Sequence, residues 1–146
     1  MSRIPLLVFT YGSLIAFVWE IYQMPFFESE ALSAHQLTVR CGVASLGDGL
    51  ILLAGYVLAS LSGGRCWPWK AAPAAYVIYF GFGLVVAILV ENIATSLPLS
   101  SLFSWRYSDF MPVIPGIGMA LIPIAMWIIV PALTLGLLRL GASAKR

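Results

Sequence analysis

Asp48 stands between Gly47 and Gly49 in the run ASLGDGLILLAGYV, residues 44–57. A carboxyl in the middle of such an apolar helix adds roughly 2.5–3.5 kcal/mol to the cost of insertion into a bilayer. Ionisable groups inside membranes mark sites for that reason. Two further acids, Glu20 and Glu91, lie toward the ends of other apolar runs. Carboxyls withdrawn from water favour the protonated form, which suits proton donation near neutral pH. Asp48, Glu20 and Glu91 are therefore the candidate acid/base set. Arg40, Gln23, Trp105, Arg106, Tyr107 and Asp109 are the candidate substrate-binding residues. Arg40 or Arg106 would hold an anionic headgroup, and the rings of Trp105 and Tyr107 would shield a developing cation.

Each of these residues also has a purely structural reading. Asp48 is otherwise a protonated group bonded to Ser13, Tyr11 or Tyr79 in a tightly packed bundle. Gly47 and Gly49 thin the helix beside it, so that a neighbouring backbone, a water or a ligand can reach the carboxyl. Glu20 and Glu91 are otherwise wet interfacial acids. Arg40 either snorkels to headgroups or pairs with Glu20 or Glu91. Gln23 serves equally as a packing hydrogen bond, and Trp105 and Tyr107 as interfacial anchors.

The elements that must position these residues follow from composition. The chain has 146 residues, 61% hydrophobic and 10% charged, where soluble domains average about 25% charged. A soluble core of this size cannot hide that excess, so the bilayer is the solvent. Four stretches reach the roughly 20 apolar residues a spanning helix needs: about 4–24, 37–61, 73–95 and 116–139. Pro25 ends the first. Ser33 and Gln36 stand at capping-box spacing before the second, and Gly63-Gly64 closes it. Pro73 suits the first turn of the third. Pro115, Gly116 and Gly118 lead into the fourth, which Pro123 and Pro131 are expected to kink. The fold class is an all-α membrane protein: one four-transmembrane-helix domain over residues 1–146, with connectors 25–36, 62–72 and a long outer loop 96–115. The early apolar run lacks a small-residue cleavage site and reads as a retained helix.

Charge then orders the bundle. With four spans, both termini and the middle connector share a side. That side holds Arg3, Arg65, Lys70, Arg139, Lys145 and Arg146 and no acid, which places it in the cytoplasm. Trp67 and Trp69 read as an interfacial belt there. Glu20, Glu28, Glu30, Glu91 and Asp109 fall near or beyond the outer surface. Asp48, eleven residues into the second span, lies about 16 Å deep at 1.5 Å per residue. Ser13, Ala16, Glu20 and Gln23 form one helical stripe; Arg40, Ala44 and Asp48 a second; Gly83, Ala87 and Glu91 a third. Small residues let helices approach closely in lipid, so these stripes, and their carboxyls, are expected to face the bundle interior.

Several chemistries lack their signatures. Cys41 and Cys66 fall at opposite faces and cannot pair, and no CxxC is present. His35 is the single histidine; beside Glu28 and Glu30 it makes too thin a set for a metal site. No metal and no cofactor is expected. P-loop, Rossmann and nucleophile-elbow patterns are missing. A net charge of +2 without basic–aromatic clusters gives no nucleic-acid signal.

Trp19, Glu20, Gln23 and Pro25 form a W-E-x-x-Q-x-P pattern. With RCGVASLGDGLI and WRYSDFMPVIPGIG, the chain resembles an uncharacterised family of small bacterial four-helix integral membrane proteins. The resemblance implies the fold and a multi-pass place in the bacterial inner membrane. It brings no activity. Where that family has a histidine before the cysteine, Arg40 precedes Cys41 here, a fixed charge in place of a proton carrier. A looser, architectural likeness is to four-helix sterol-isomerase-type and lycopene-cyclase-type membrane enzymes, which use intramembrane carboxylates with aromatics.

Three functions compete on these grounds: an acid/base enzyme acting on a lipid or isoprenoid-like substrate, a non-catalytic binding or assembly subunit of a membrane complex, and a small oligomeric proton- or cation-linked transporter. The expected partners are membrane lipid, a lipid-like small molecule, and either further copies of the chain or a larger complex.

Overall fold

The computed structural model describes residues 3–28, 32–98, 101, 103–116 and 119–143, the side chains of 142 and 143 excepted. Glu30, Gly118, Lys145 and Arg146 lie outside the described residues. Four α-helices form the chain: α1 (Ile4–Gln23), α2 (Ala34–Gly63), α3 (Pro73–Ser96) and α4 (Leu121–Ser143), with short 3-10 turns at Met24–Phe26 and Trp67–Trp69. All four are long and apolar enough to cross a membrane. Among the described residues there is no strand, only isolated bridges between Phe27 and Tyr107 and between Val113 and Ala120.

Local chemistry sets the ends. Pro5 and Pro73 occupy first turns, where a missing N–H removes no helical bond. Ser33 caps α2: its hydroxyl accepts from the Gln36 N–H while the Gln36 side chain accepts from the Ser33 N–H. That box starts the helix at Ala34, three residues before the expected span. Gly64, at φ 71°, ends it. With 30 residues α2 is about 45 Å long, against a hydrocarbon core of about 30 Å.

Helix α4 starts later than expected. Residues 112–114 pair with 119–121 instead, the Ile114 N–H bonded to the Met119 carbonyl and the Leu121 N–H to the Pro112 carbonyl. Gly116 turns the chain at φ 83°, a left-handed value that suits glycine. Pro123 consequently sits in the first turn of α4, where it does not break the helix. Only Pro131 lies in the interior; it lacks the N–H that would otherwise bond to the Trp127 carbonyl.

Glycines mark where the helices touch. A methyl on Gly12 would lie 2.6 Å from Leu52, and one on Gly49 2.0 Å from the Ser13 hydroxyl. Gly55 fits against Tyr79 and Phe82, Gly63 against Trp67 and Ala75, and Gly83 against Trp127. These pairs run in opposite sequence directions, so neighbouring helices are antiparallel. The core follows these contacts through Val8, Ala16, Leu52, Tyr56, Tyr79, Met126, Trp127 and Val130. Several helix hydroxyls bond back to carbonyls of their own helix, as Ser60 to Tyr56 and Thr134 to Val130, which satisfies them where water is scarce.

Hydrogen bonds close each end of the bundle separately. At one end Arg139 of α4 donates to the Pro68 carbonyl and to the Tyr76 hydroxyl, and Tyr56 donates to the Arg65 carbonyl. Trp67 does not serve as a belt residue. It is fully buried, with its ring against Tyr56, Tyr76 and Tyr79, because the connector folds back onto Gly63. Trp69 is partly exposed. At the other end the α1–α2 and α3–α4 connectors bond to each other: Glu28 N–H to the Arg106 carbonyl, Ser108 N–H to the Phe26 carbonyl, and the Ser108 hydroxyl to the Pro25 carbonyl.

Candidate functional site

Beneath those joined connectors lies a cavity of about 360 Å³ that reaches down between the four helices. Glu20 from α1, Asp48 from α2 and Glu91 from α3 all line it, together with Gln23 and Arg40. The three stripes therefore turn inward as their small residues require: Ala16, Gln23, Gly83 and Ala87 are buried. The rest of the wall is mainly apolar, with Ile51, Ala87, Met126 and Trp127 at its base.

The three carboxyls are not equivalent. Glu91 accepts twice on Oε2, from the Tyr107 hydroxyl at 2.5 Å and from Trp105 Nε1 at 3.0 Å. Glu20 accepts once on Oε1, from Gln23 Nε2 at 2.9 Å. Gln23 is itself oriented by Trp19, whose Nε1 donates to Gln23 Oε1 at 2.9 Å. Asp48 differs from both: its Oδ2 is buried and has no hydrogen-bond partner among the described residues. The expected partners do not supply one, since the Ser13 hydroxyl and the Tyr79 hydroxyl are equally buried and unpaired. A buried polar oxygen left in this state costs roughly 1–3 kcal/mol, so Asp48 is held against its solvation preference.

The glycines flanking Asp48 do opposite things. Gly49 presses α2 onto α1 at Ser13 and Phe9 and closes the structure there. Gly47 meets nothing within 4 Å and lines the cavity. Of the two glycines, Gly47 alone opens onto the cavity beside Asp48. Beyond Asp48, toward the Trp67 end, the Gly12–Leu52 and Gly55–Tyr79 contacts pack the bundle shut.

Both arginines bond to carbonyls of the α3–α4 connector. Arg40 lines the cavity, and its guanidinium reaches the connector instead of pairing with Glu20 or Glu91. It donates to the Ser104 carbonyl at 3.2 Å and the Ser101 carbonyl at 3.3 Å. Arg106 donates to the carbonyls of Trp105 at 2.8 Å and Leu97 at 2.9 Å. Irregular backbone near a membrane has carbonyls that helices do not satisfy, and a cation is a strong donor for them. Both arginines hold the α3–α4 connector over the cavity. Phe27 completes the roof, packed edge-on against Trp105 and tilted against Tyr107.

Tyr107 lines a second cavity of about 350 Å³ with Arg106, Asn92 and Thr95. Glu91, Ala87 and Pro123 border both cavities, so Glu91 is a shared wall. Burial, and then the bond to Glu91, push the Tyr107 hydroxyl above its ordinary ionisation range. Asp109 is exposed and lines neither cavity. Among the described residues no group of three or more His, Cys, Asp or Glu gathers where a metal ion would sit; Cys41 is buried and free, and Cys66 is free and half-buried.

Sequence reasoning had Trp19 only as part of the W-E-x-x-Q-x-P pattern, and missed Phe27 and the base residues Met126 and Trp127. The four-residue spacing of Trp19 and Gln23 was a usable signal. The others depend on how the connectors and α4 fold back, which no local pattern reports. No protein-family model matches the chain, nor does any curated protein or solved structure.

Proposed function

We propose that the protein is an acid/base enzyme acting on a lipid or isoprenoid-like molecule held in the roofed cavity. One observation carries the reading: Asp48 lines a mainly apolar cavity shared with two other carboxyls, and its Oδ2 is buried with no partner among the described residues. Glu20 and Glu91, by contrast, accept hydrogen bonds from their own chain, which orient them. Asp48 is the proton donor in this scheme. Glu91 or Glu20 accepts the proton lost from the substrate, and that proton returns to Asp48 between turnovers, so the net reaction is an isomerisation. Gln23, Trp105 and Tyr107 position the accepting carboxyls, and Arg40 and Arg106 fix the roof.

The proposed setting is a bacterial inner membrane with both termini cytoplasmic and the cavity toward the outer face. Arg3, Arg65, Lys70 and Arg139 belong to the terminal end, whereas the carboxyls belong to the other. The packed contacts beyond Asp48 weigh against a transport path. A non-catalytic membrane subunit is the second reading. It is favoured by the two donors on Glu91, which would then be a latch between connector and helix.

The test is expression of the wild-type chain, Asp48→Asn and an empty control in one host, followed by mass spectrometry of total membrane lipid. A lipid species converted by the wild type alone supports the enzyme. Identical profiles for wild type and Asp48→Asn remove Asp48 from any chemistry.

A further inference from the structure

The cavity has a floor, a roof and an open side, and the open side faces lipid. The floor is the packed region from Gly12–Leu52 to Gly55–Tyr79. The roof is the pair of connectors bonded to each other and held by Arg40. Helices α1 and α2 are pressed together at Gly49, and α3 and α4 at Gly83. Between α2 and α3 the close contact is at Gly55; two turns along α2, Gly47 has nothing within 4 Å. Val90, Ile93 and Phe103 are at once exposed, at 41%, 58% and 60%, and part of the cavity wall. Residues with both properties define a mouth. Glu28, also exposed and lining, marks the connector edge of that mouth; the others are apolar, and Gly47, Val90 and Ile93 lie within spanning helices, so this stretch of the mouth opens to the bilayer.

Size and charge narrow the occupant. About 360 Å³ is at the small end of ligand pockets, which run roughly 300–1,000 Å³. That admits one hydrocarbon chain rather than a two-chain phospholipid. Glu20, Glu28, Asp48 and Glu91 line the cavity against a single cation, Arg40, whose guanidinium is engaged by carbonyls. Even with Asp48 protonated, Glu20, Glu28 and Glu91 outnumber that cation, and such a wall disfavours phosphate and carboxylate. Asp48 lines the cavity with a carboxyl whose Oδ2 has no partner among the described residues, and a neutral hydroxyl, donor and acceptor at once, bonds to such a carboxyl in either protonation state.

We infer that the cavity takes a neutral, single-chain isoprenoid alcohol from the membrane through the gap between α2 and α3. Its hydroxyl reaches Asp48 and its chain leaves past Gly47, Val90 and Ile93. This inference rests on the catalytic reading of Asp48 only for what happens after binding.

The probe is geranylgeraniol carrying a photoreactive diazirine, added to the full chain in nanodiscs, with the corresponding diphosphate as the charged comparison. Labelling by the alcohol is expected on peptides covering 43–51 and 90–97, with labelling by the diphosphate lower by about tenfold. Gly47→Phe, which builds into open space, lowers labelling by the alcohol about tenfold while the thermal midpoint stays in place. Ile93→Trp at the opposite lip serves as the second block should Gly47→Phe not fold. Equal labelling by the diphosphate, or full labelling in a folded blocked variant, overturns the inference. Normal labelling without any lipid conversion leaves the binding site standing and defeats the enzymatic reading alone.

Discussion

Tyr107 donates its hydroxyl hydrogen to Oε2 of Glu91 across 2.5 Å, and so ties the α3–α4 connector to a spanning helix. Trp105 donates to the same oxygen. Tyr107→Phe therefore removes one donor and leaves one, at a cost of about 1–3 kcal/mol. Removing both donors with Trp105→Phe is expected to cost more than the two single changes added, because the last removal strands the acceptor. Thermal unfolding of the two single variants and the double variant in one detergent checks this. Additive losses would show that the two bonds are not a unit.

The same hydroxyl predicts an alkaline limit. Tyr107 ionises above its ordinary range in the folded chain, through burial first and the Glu91 bond second. A raised folded value means that the folded state holds the proton longer than the unfolded one. Its contribution to stability is then complete below about pH 10, the ordinary tyrosine value, and is lost as pH rises beyond it. The wild type should lose stability above that pH more steeply than Tyr107→Phe. Parallel slopes for the two proteins would contradict this.

Gly49 and Gly47 separate in a paired substitution. Gly→Ala inside a helix ordinarily gains up to about 1 kcal/mol. At Gly47 the new methyl meets nothing, and that gain should appear. At Gly49 it meets the Ser13 hydroxyl at 2.0 Å and the Phe9 carbonyl at 3.2 Å, and overpacking of this kind costs about 1–3 kcal/mol. Melting curves should move in opposite directions, with Ser13→Gly restoring part of the loss in Gly49→Ala.

Those two glycines also show what sequence could tell. Periodicity placed Glu20, Asp48 and Glu91 inward, since a carboxyl in hydrocarbon has one acceptable direction, and the structure gathers all three around one cavity. The capping box at Ser33 and Gln36 was likewise readable, because both halves are local. Gly47 and Gly49 looked alike, since what distinguishes them is α1, forty residues upstream. Arg40 and Arg106 were read as ligand groups, yet both bond to connector carbonyls that no helical pattern places. Trp67 read as a surface anchor because its neighbours are Arg65 and Lys70, whereas the fold-back at Gly63 buries it.

Asp48 should stabilise the protein when removed. Its Oδ2 is buried without a partner, and exchanging such a group for an apolar one recovers roughly 1–3 kcal/mol. Asp48→Leu is expected to raise the thermal midpoint, the cavity giving the larger side chain room. Asp48→Asn keeps a polar group there and should change it little. A fall in Asp48→Leu would reveal a partner for the carboxyl and take away the argument that the residue is retained for function.

Arg40 decides whether the roof is a structural lid or a headgroup clasp. Its two bonds, to the carbonyls of Ser101 and Ser104, cross from α2 to the connector; the Ser101 carbonyl accepts from the Ser104 hydroxyl as well, at 3.0 Å. Arg40→Met keeps the length and apolar stem of the side chain and removes only the donors. Hydrogen exchange over 103–108 should then speed up while the interior of α2 stays protected, and Arg40→Lys should recover only part of the protection, because one ammonium cannot match the spread of the guanidinium fork. Were Arg40 instead a clasp for an anionic ligand, the exchange pattern of the ligand-free protein would be unchanged by Arg40→Met, and binding of the prenyl diphosphate would fall with it. Unchanged exchange over the connector is the result that would return Arg40 to the ligand side of the site.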